Sequence, residues 1–288
     1  MSVSQAAADF PRLAYRRARA RAGWGLAVLA FVLVAAPLLD ILGLVAARGA
    51  SAISPRLFTT VTNGISGGLL NAIVGTFVLS GGALVLGVPV GVGAGIYLAE
   101  FGSGPFGTVV RFLSDVLTGV PSIVLGYFSY ITMVIGLGWQ FSALAGAITL
   151  ALMIVPYIAR LTELSLRQLP VSLRESAYAL GAPAHTVVFR IVFPIATPGV
   201  LTGVLLALAI SVGETAPLIY TAGWSNYLWN GRLTHEPIGY LTYVVWSFIN
   251  QPFASAHALA FAAAFLVVLV VLAINIAARL FLLGHRAV

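Results

Sequence analysis

Apolar runs too long for a soluble core constrain this chain more than any other feature. About 20 residues at 1.5 Å rise cross a hydrocarbon core of about 30 Å, so an apolar run of 18 or more is a candidate span. Six are readable, at roughly 24–46, 70–98, 116–137, 142–160, 197–219 and 257–282. They predict an all-α integral membrane protein with six transmembrane helices, because a helix in lipid satisfies its backbone polar groups internally. Composition agrees: 60% of the 288 residues are hydrophobic and 8% charged, against about 25% charged in soluble domains.

The formal charge of +7 raises the question of nucleic acid, and the placement of the charges answers it. All fifteen cations are arginine, and most flank apolar runs, as topology signals do. With the arginine-rich N-terminus inside, the inner segments hold Arg12, Arg16, Arg17, Arg19, Arg21, Arg111, Arg160, Arg167, Arg174, Arg190, Arg279 and Arg286. The outer segments hold Arg48, Arg56 and Arg232. Twelve against three predicts a multi-pass membrane protein with both termini cytoplasmic, and no nucleic-acid partner. The run after Trp24 is long and lacks a small-residue cleavage pattern, so it reads as a retained span.

Enzyme chemistry finds little material. The absence of cysteine removes disulfides, thiolate metal sites and cysteine nucleophiles together. Four scattered histidines include no H-E-x-x-H helix, and without lysine there is no G-x-x-x-x-G-K-[ST] phosphate loop. No catalytic residue, metal site or cofactor is expected on this chain.

Gly87, Gly91 and Gly95 recur every fourth residue, a ridge along which another helix can approach closely. Pro89, Pro121, Pro156 and Pro217 each remove a helix hydrogen bond and predict kinks. Two connections exceed simple turns: the inner one, 161–196, and the outer one, 220–256. The outer one carries Trp224, Tyr227, Trp229, Tyr240, Tyr243 and Trp246, rings that favour a membrane interface or the docking of an external partner.

In the inner connection, Ser172 and Glu175 have capping-box spacing, Gly181 suits a helix C-terminus, and Pro183 suits the first turn of a second helix. A helix-turn-helix against the inner membrane face is expected. Its apolar side holds Leu173, Ala177, Leu180, Val187, Val188 and Ile191; its polar side holds Arg174, Glu175, His185 and Arg190. Glu175-Ser176-Ala177, three residues, Gly181, nine residues, then Ile191-Val192-Phe193-Pro194 resembles the E-A-A-x3-G-x9-I-x-L-P loop of bacterial ATP-binding cassette importers. Ser176 replaces the usual alanine and Phe193 the usual leucine. The resemblance implies a type I importer permease core, MetI-like, over about 68–282. It leaves 1–23 as a cytoplasmic segment, 24–67 as an added first helix with an external loop, and 283–288 as a cytoplasmic tail. It also implies that Glu175, Ser176, Ala177, Gly181, Ile191 and Pro194 belong to the surface that couples to an ATPase subunit.

A narrower resemblance lies in Ala209-Ile210-Ser211-Val212-Gly213-Glu214-Thr215-Ala216-Pro217-Leu218, which is similar to the A-x-G-E-T-A-P-L signature of one permease subunit of phosphate-specific importers. Gly119-Val120-Pro121-Ser122-Ile123-Val124-Leu125-Gly126 and Pro156-Tyr157-Ile158-Ala159-Arg160-Leu161-Thr162-Glu163 resemble further segments of the same group. The implied function is an ATP-driven phosphate importer in which this chain forms half of the path. The implied partners are a second homologous permease, a homodimeric ATPase that carries ATP and magnesium, an external phosphate-binding protein and inorganic phosphate. Permeases for sulfate, molybdate or phosphonate share the loop, and a self-sufficient secondary transporter would leave the loop unexplained.

An ionised residue near the bilayer centre costs on the order of 2.5–3.5 kcal/mol and needs a partner or water. Glu214 falls about 17 residues into the fifth span, roughly 25 Å from the inner face. It reads either as a structural carboxylate paired with an arginine of this chain or of the partner permease, or as a path residue. In the path, an ionised carboxylate accepts the proton that hydrogen phosphate donates and fully ionised sulfate lacks. Arg160, at the expected inner end of the fourth span, is either a topology anchor or a bidentate fork for a departing phosphate. Ser122 and Thr215 complete the expected path with hydroxyls, as would Thr118 beside them.

Overall fold

A computed structural model describes residues 3–285, with side chains over 15–280. Arg286, the chain from 286 onward, and the side chain of Arg12 lie outside the described residues. The chain divides into two compact units, residues 1–48 and 49–288. The first is most of one helix, α1 (Val3–Ala52). Its apolar stretch, Tyr15–Ala52, is longer than the span expected at 24–46. Trp24, Phe31 and Leu39 are exposed apolar side chains on a stretch long enough to cross a membrane.

The second unit opens with α2 (Pro55–Thr59) and a small hairpin, Thr62–Asn63 against Ser66–Gly67, followed by α3 (Leu70–Glu100), α4 (Pro105–Gly119) and α5 (Ser122–Ser129). A π-helical continuation of α5, Tyr130–Gly136, leads to α6 (Ala143–Arg167) and α7 (Val171–Ala179). Next, α8 (Ala184–Thr186) runs through a π-helical turn, Val187–Val192, into α9 (Phe193–Gly213). Pro194 accounts for that widened turn, because its ring clashes with the carbonyl four residues back. Finally come α10 (Ala216–Thr221), α11 (Leu241–Phe248) and α12 (Ala254–His285).

The glycine ridge builds the centre of this unit. A Cβ at Gly87 would lie 3.0 Å from Ile154, at Gly91 2.7 Å from Ile158, and at Gly95 2.5 Å from Thr162. The spacing advances together on both helices, so α3 and α6 run parallel. Gly199 and Gly203 meet Ser165 and Leu161 in descending order, so α9 runs antiparallel to α6. Two parallel spans require one return crossing between them. Five described helices are long and apolar enough to cross a membrane, and α4 with the α5 segment forms a further pair bent by 100°. The bent pair is therefore the return crossing, and six crossings result. Val120 before Pro121 is held extended, as a residue preceding proline must be, and this makes the corner.

Several expectations need correction. The third span is not a straight 116–137 helix but the bent pair. Pro121 and Pro217 do mark breaks, whereas Pro89 and Pro156 sit inside continuous helices. The connection after α6 shrinks to 168–183 and contains α7, because α6 continues to Arg167 and the next span begins at Ala184. Arg160 therefore lies within α6 rather than at its end. Ser172 is no cap: it lies inside α7, whose N-cap is Pro170, and no side chain caps that end. The C-terminus of α7 is as expected, since Gly181 takes φ +78°. Its N–H reaches Tyr178 O at 2.9 Å and that of Ala182 reaches Ala177 O at 3.1 Å, closing the turn in a Schellman arrangement. Arg174 turns inward instead of lining the polar side, and Leu180 is 88% exposed instead of packed. The outer rings form no simple belt: Trp224 stacks on Tyr243 at 4.7 Å, and Tyr240 is fully buried.

Candidate functional site

Two polar centres stand out in the second unit. One gathers at the C-terminal ends of α3 and α6. Glu163, 4% exposed, accepts from Arg111 Nε at 2.8 Å and pairs with Arg167 at 3.0 Å, both on Oε1. Its Oε2 faces Arg160 at 3.6 Å, beyond hydrogen-bond reach, and has no hydrogen-bond partner. Arg111 also donates to the Gly102 and Leu98 carbonyls, and Arg167 to Leu98 O. These carbonyls cap the end of α3, where positive charge is favoured. Beside them Glu100 and Arg174 form a forked pair, Nη2 to Oε1 at 2.7 Å and Nε to Oε2 at 3.1 Å. The neighbouring Glu100 carboxylate holds the Arg174 guanidinium above its usual basicity.

The other centre surrounds Glu214. The helix breaks there for a local reason: in a continued helix Pro217 would clash with the Gly213 carbonyl, so α9 stops at Gly213 and α10 restarts with proline in its first turn. Glu214 caps α9 in extended conformation, and its carbonyl accepts the Thr242 hydroxyl at 2.6 Å. The Ser122 side chain lies beside its carboxylate. A Cβ at Gly126 would lie 2.5 Å from Pro217, so α5 and α10 are in close contact. Glu214, Ser211, Tyr240, Thr76, Ser80 and Thr242 line a seam too tight to admit a water. Within it Ser211 Oγ and Tyr240 Oη, in residues 2% and 1% exposed, have no hydrogen-bond partner. Such buried orphan hydroxyls are rare in native interiors.

The expected path residues thus separate. Ser122, Glu214 and Thr215 come together, while Arg160 does not join them. Gly203 packs on Leu161, and Glu214 follows eleven residues later, a helical rise of roughly 16 Å. No described arginine pairs with Glu214. Of the expected coupling residues, Glu175, Ser176, Gly181 and Pro194 are exposed, Ala177 is buried and Ile191 is half-buried. Sequence reasoning missed Glu163, Arg174, Ser211 and Tyr240. For Glu163 a signal existed, since Arg160, Glu163 and Arg167 share one helical face by their spacing.

Residues 91–283 match the family described as binding-protein-dependent transport system inner membrane component. The phosphate transport system permease protein PstA 2 of Mycobacterium bovis is 45% identical over 269 residues, covering 93% of this chain and 89% of the relative. PstA of Yersinia pestis is 45% identical over 236 residues, covering 81% and 79% of the two chains. PstA of Haemophilus influenzae is 43% identical over 238 residues, covering 81% and 83%. Among solved structures, a chain from the inward-facing MetNI methionine ABC transporter has a TM-score of 0.60 at 19% identity, covering 81% of this chain and 99% of that one, which shows a shared fold. A family model over well more than half of the length and relatives at 45% identity along most of it make one conclusion: this chain belongs to the binding-protein-dependent transport system inner membrane components, as a permease of the PstA type.

Proposed function

We propose that this chain is a permease subunit of an ATP-driven phosphate importer and forms half of its translocation path. The observation that carries the reading is the Glu214 junction, where the α5 and α10 segments, each similar to phosphate permeases, pack closely at Gly126 and Pro217 and bring Ser122 beside Glu214. The names of the relatives support the same substrate. In this reading the ionised Glu214 accepts the proton of hydrogen phosphate, while Ser122 and Thr215 contribute hydroxyls. Fully ionised sulfate has no proton to offer there. Arg160, exposed and only loosely held by Glu163, provides a fork for the anion at the inner end.

Coupling runs through α7 and the turn after it, with Glu175, Ser176 and Gly181 on the exposed side, Ile191 in the π-helical turn and Pro194 at the start of α9. Val171, Tyr178 and Leu180 add exposed apolar surface on which an ATPase subunit closes. A homodimeric ATPase carries the ATP and magnesium, a second homologous permease completes the path, and an external phosphate-binding protein delivers the anion to the outer loops. Both termini are cytoplasmic in this arrangement, by the arginine distribution.

Purified complex in sealed vesicles tests the reading. ATP-dependent uptake of radiolabelled phosphate that excess sulfate and molybdate leave unchanged is expected. Uptake of sulfate or molybdate instead, or phosphate uptake without ATP or an ATPase chain, would contradict it.

A further inference from the structure

The coupling helix is poorly anchored by apolar contact. Ala177 is the one fully buried residue of α7, Leu173 and Arg174 are half-buried, and Val171, Tyr178 and Leu180 face outward. Nine residues with so little buried area would swing on the connection 168–183 if nothing else held them. Arg174 holds them. Its guanidinium donates to Leu166 O at 2.9 Å and Leu169 O at 3.3 Å, and it takes the Glu100 carboxylate with both Nε and Nη2. Leu166 lies in the last turn of α6, and Glu100 is the last residue of α3. One side chain therefore ties α7 to the ends of two parallel spans that the glycine ridge already packs together.

We propose that Arg174 and Glu100 are positioning residues that lock α7 to α3 and α6, so that a displacement of α7 moves both spans as one body. The inference rests on the reading of α7 as the ATPase contact. A forked pair suits the task, because two parallel hydrogen bonds fix orientation as well as distance. The pair is mostly shielded from water, with side-chain exposures of 17% for Arg174 and 7% for Glu100, so solvent screens it little. The third span set is reached separately, since the turn after Gly181 leads without interruption into α9. A push on α7 then arrives at α9 through the backbone and at α3 and α6 through Arg174. Without the pair, α9 alone would follow.

Glu100→Ala separates this role from simple folding, because Arg174 keeps its carbonyl acceptors, Leu166 O in α6 and Leu169 O just after it, and loses only α3. The complex is reconstituted in vesicles, and anion uptake and ATP hydrolysis are measured on the same sample. The expected result is ATP hydrolysis retained with uptake per ATP reduced on the order of 10-fold, a typical site-to-site coupling. Arg174→Lys, which keeps the charge and loses the fork, should fall between parent and Glu100→Ala. Parental uptake per ATP in assembled Glu100→Ala would overturn the proposal. If Glu100→Ala does not assemble, Glu100→Gln keeps the volume and an acceptor oxygen; lowered uptake per ATP supports the lock and a parental ratio rejects it. The ratio to parent is independent of the anion carried. A parent that transports sulfate instead of phosphate would refute the substrate assignment and still give this readout.

Discussion

At the ends of α3 and α6, Glu100 and Glu163 are met by arginines from α4, α7 and α6 itself, whereas no ion pair to Glu214 is formed among the described residues. The first centre ties its carboxylates into ion pairs, although Glu163 Oε2 and the adjacent Thr162 hydroxyl lack hydrogen bonds; the second holds its carboxylate without a described ion pair and keeps the Ser211 and Tyr240 hydroxyls unpartnered in a dry seam. Satisfied buried charge fixes geometry, and a half-satisfied polar seam retains the capacity to make new bonds. Under the proposed function, the difference places rigidity at the C-terminal ends of α3 and α6, next to the proposed ATPase contact, and responsiveness at the junction, the proposed anion site.

Removing Glu163 should produce the largest stability effect. Glu163→Ala leaves Arg111 part-buried with only carbonyl partners, and the loss should be about 3 kcal/mol, the low end for breaking a buried pair, because Arg160 and Arg167 are more than half exposed. Thermal unfolding of the solubilised complex measures it, and a loss similar to that of a surface change would show that the inner end is not the rigid centre.

The rod joining the two centres comes next. Gly91→Leu places side chain where a Cβ already comes within 2.7 Å of Ile158, which should cost about 1–3 kcal/mol. Gly93→Ala on the same helix meets nothing within 4 Å and should melt as the parent does. Equal melting of the two variants would refute the parallel packing of α3 on α6.

Much of this was legible in the sequence, and the failures share a cause. Periodicity located the spans, and the glycine spacing identified the ridge without its partner. The Schellman turn followed from Gly181 alone. Glu163 was lost because the span was ended at 160, where hydropathy fades, although its arginines on one helical face continue the helix. Arg111 and Glu163 are 52 positions apart, and Arg174 and Glu100 are 74; no local pattern carries such pairs. The outer rings were read by type, and only tertiary packing reveals that Tyr240 enters the Glu214 seam while Tyr227 remains exposed. The break at Glu214 was foreshadowed by Pro217, which was read as a kink inside a span.

The smallest stability effect belongs to the seam itself. Tyr240→Phe deletes a hydroxyl without a partner and should change stability by less than about 1 kcal/mol, in either direction. A melting loss as large as that of Glu163→Ala would mean that this hydroxyl is bonded, and the contrast between the two centres would collapse.

The most direct test of the account is the specific activity of Glu214→Gln. Neutralising this carboxylate replaces one acceptor oxygen by an amide donor and, with no ion pair to it among the described residues, should leave assembly intact. Phosphate uptake is measured per assembled complex in sealed vesicles. Uptake per complex should fall at least about 10-fold, the loss expected when a buried site loses one charged hydrogen bond. Unchanged uptake per complex, or a complex that no longer assembles, would contradict the placement of Glu214 in the path.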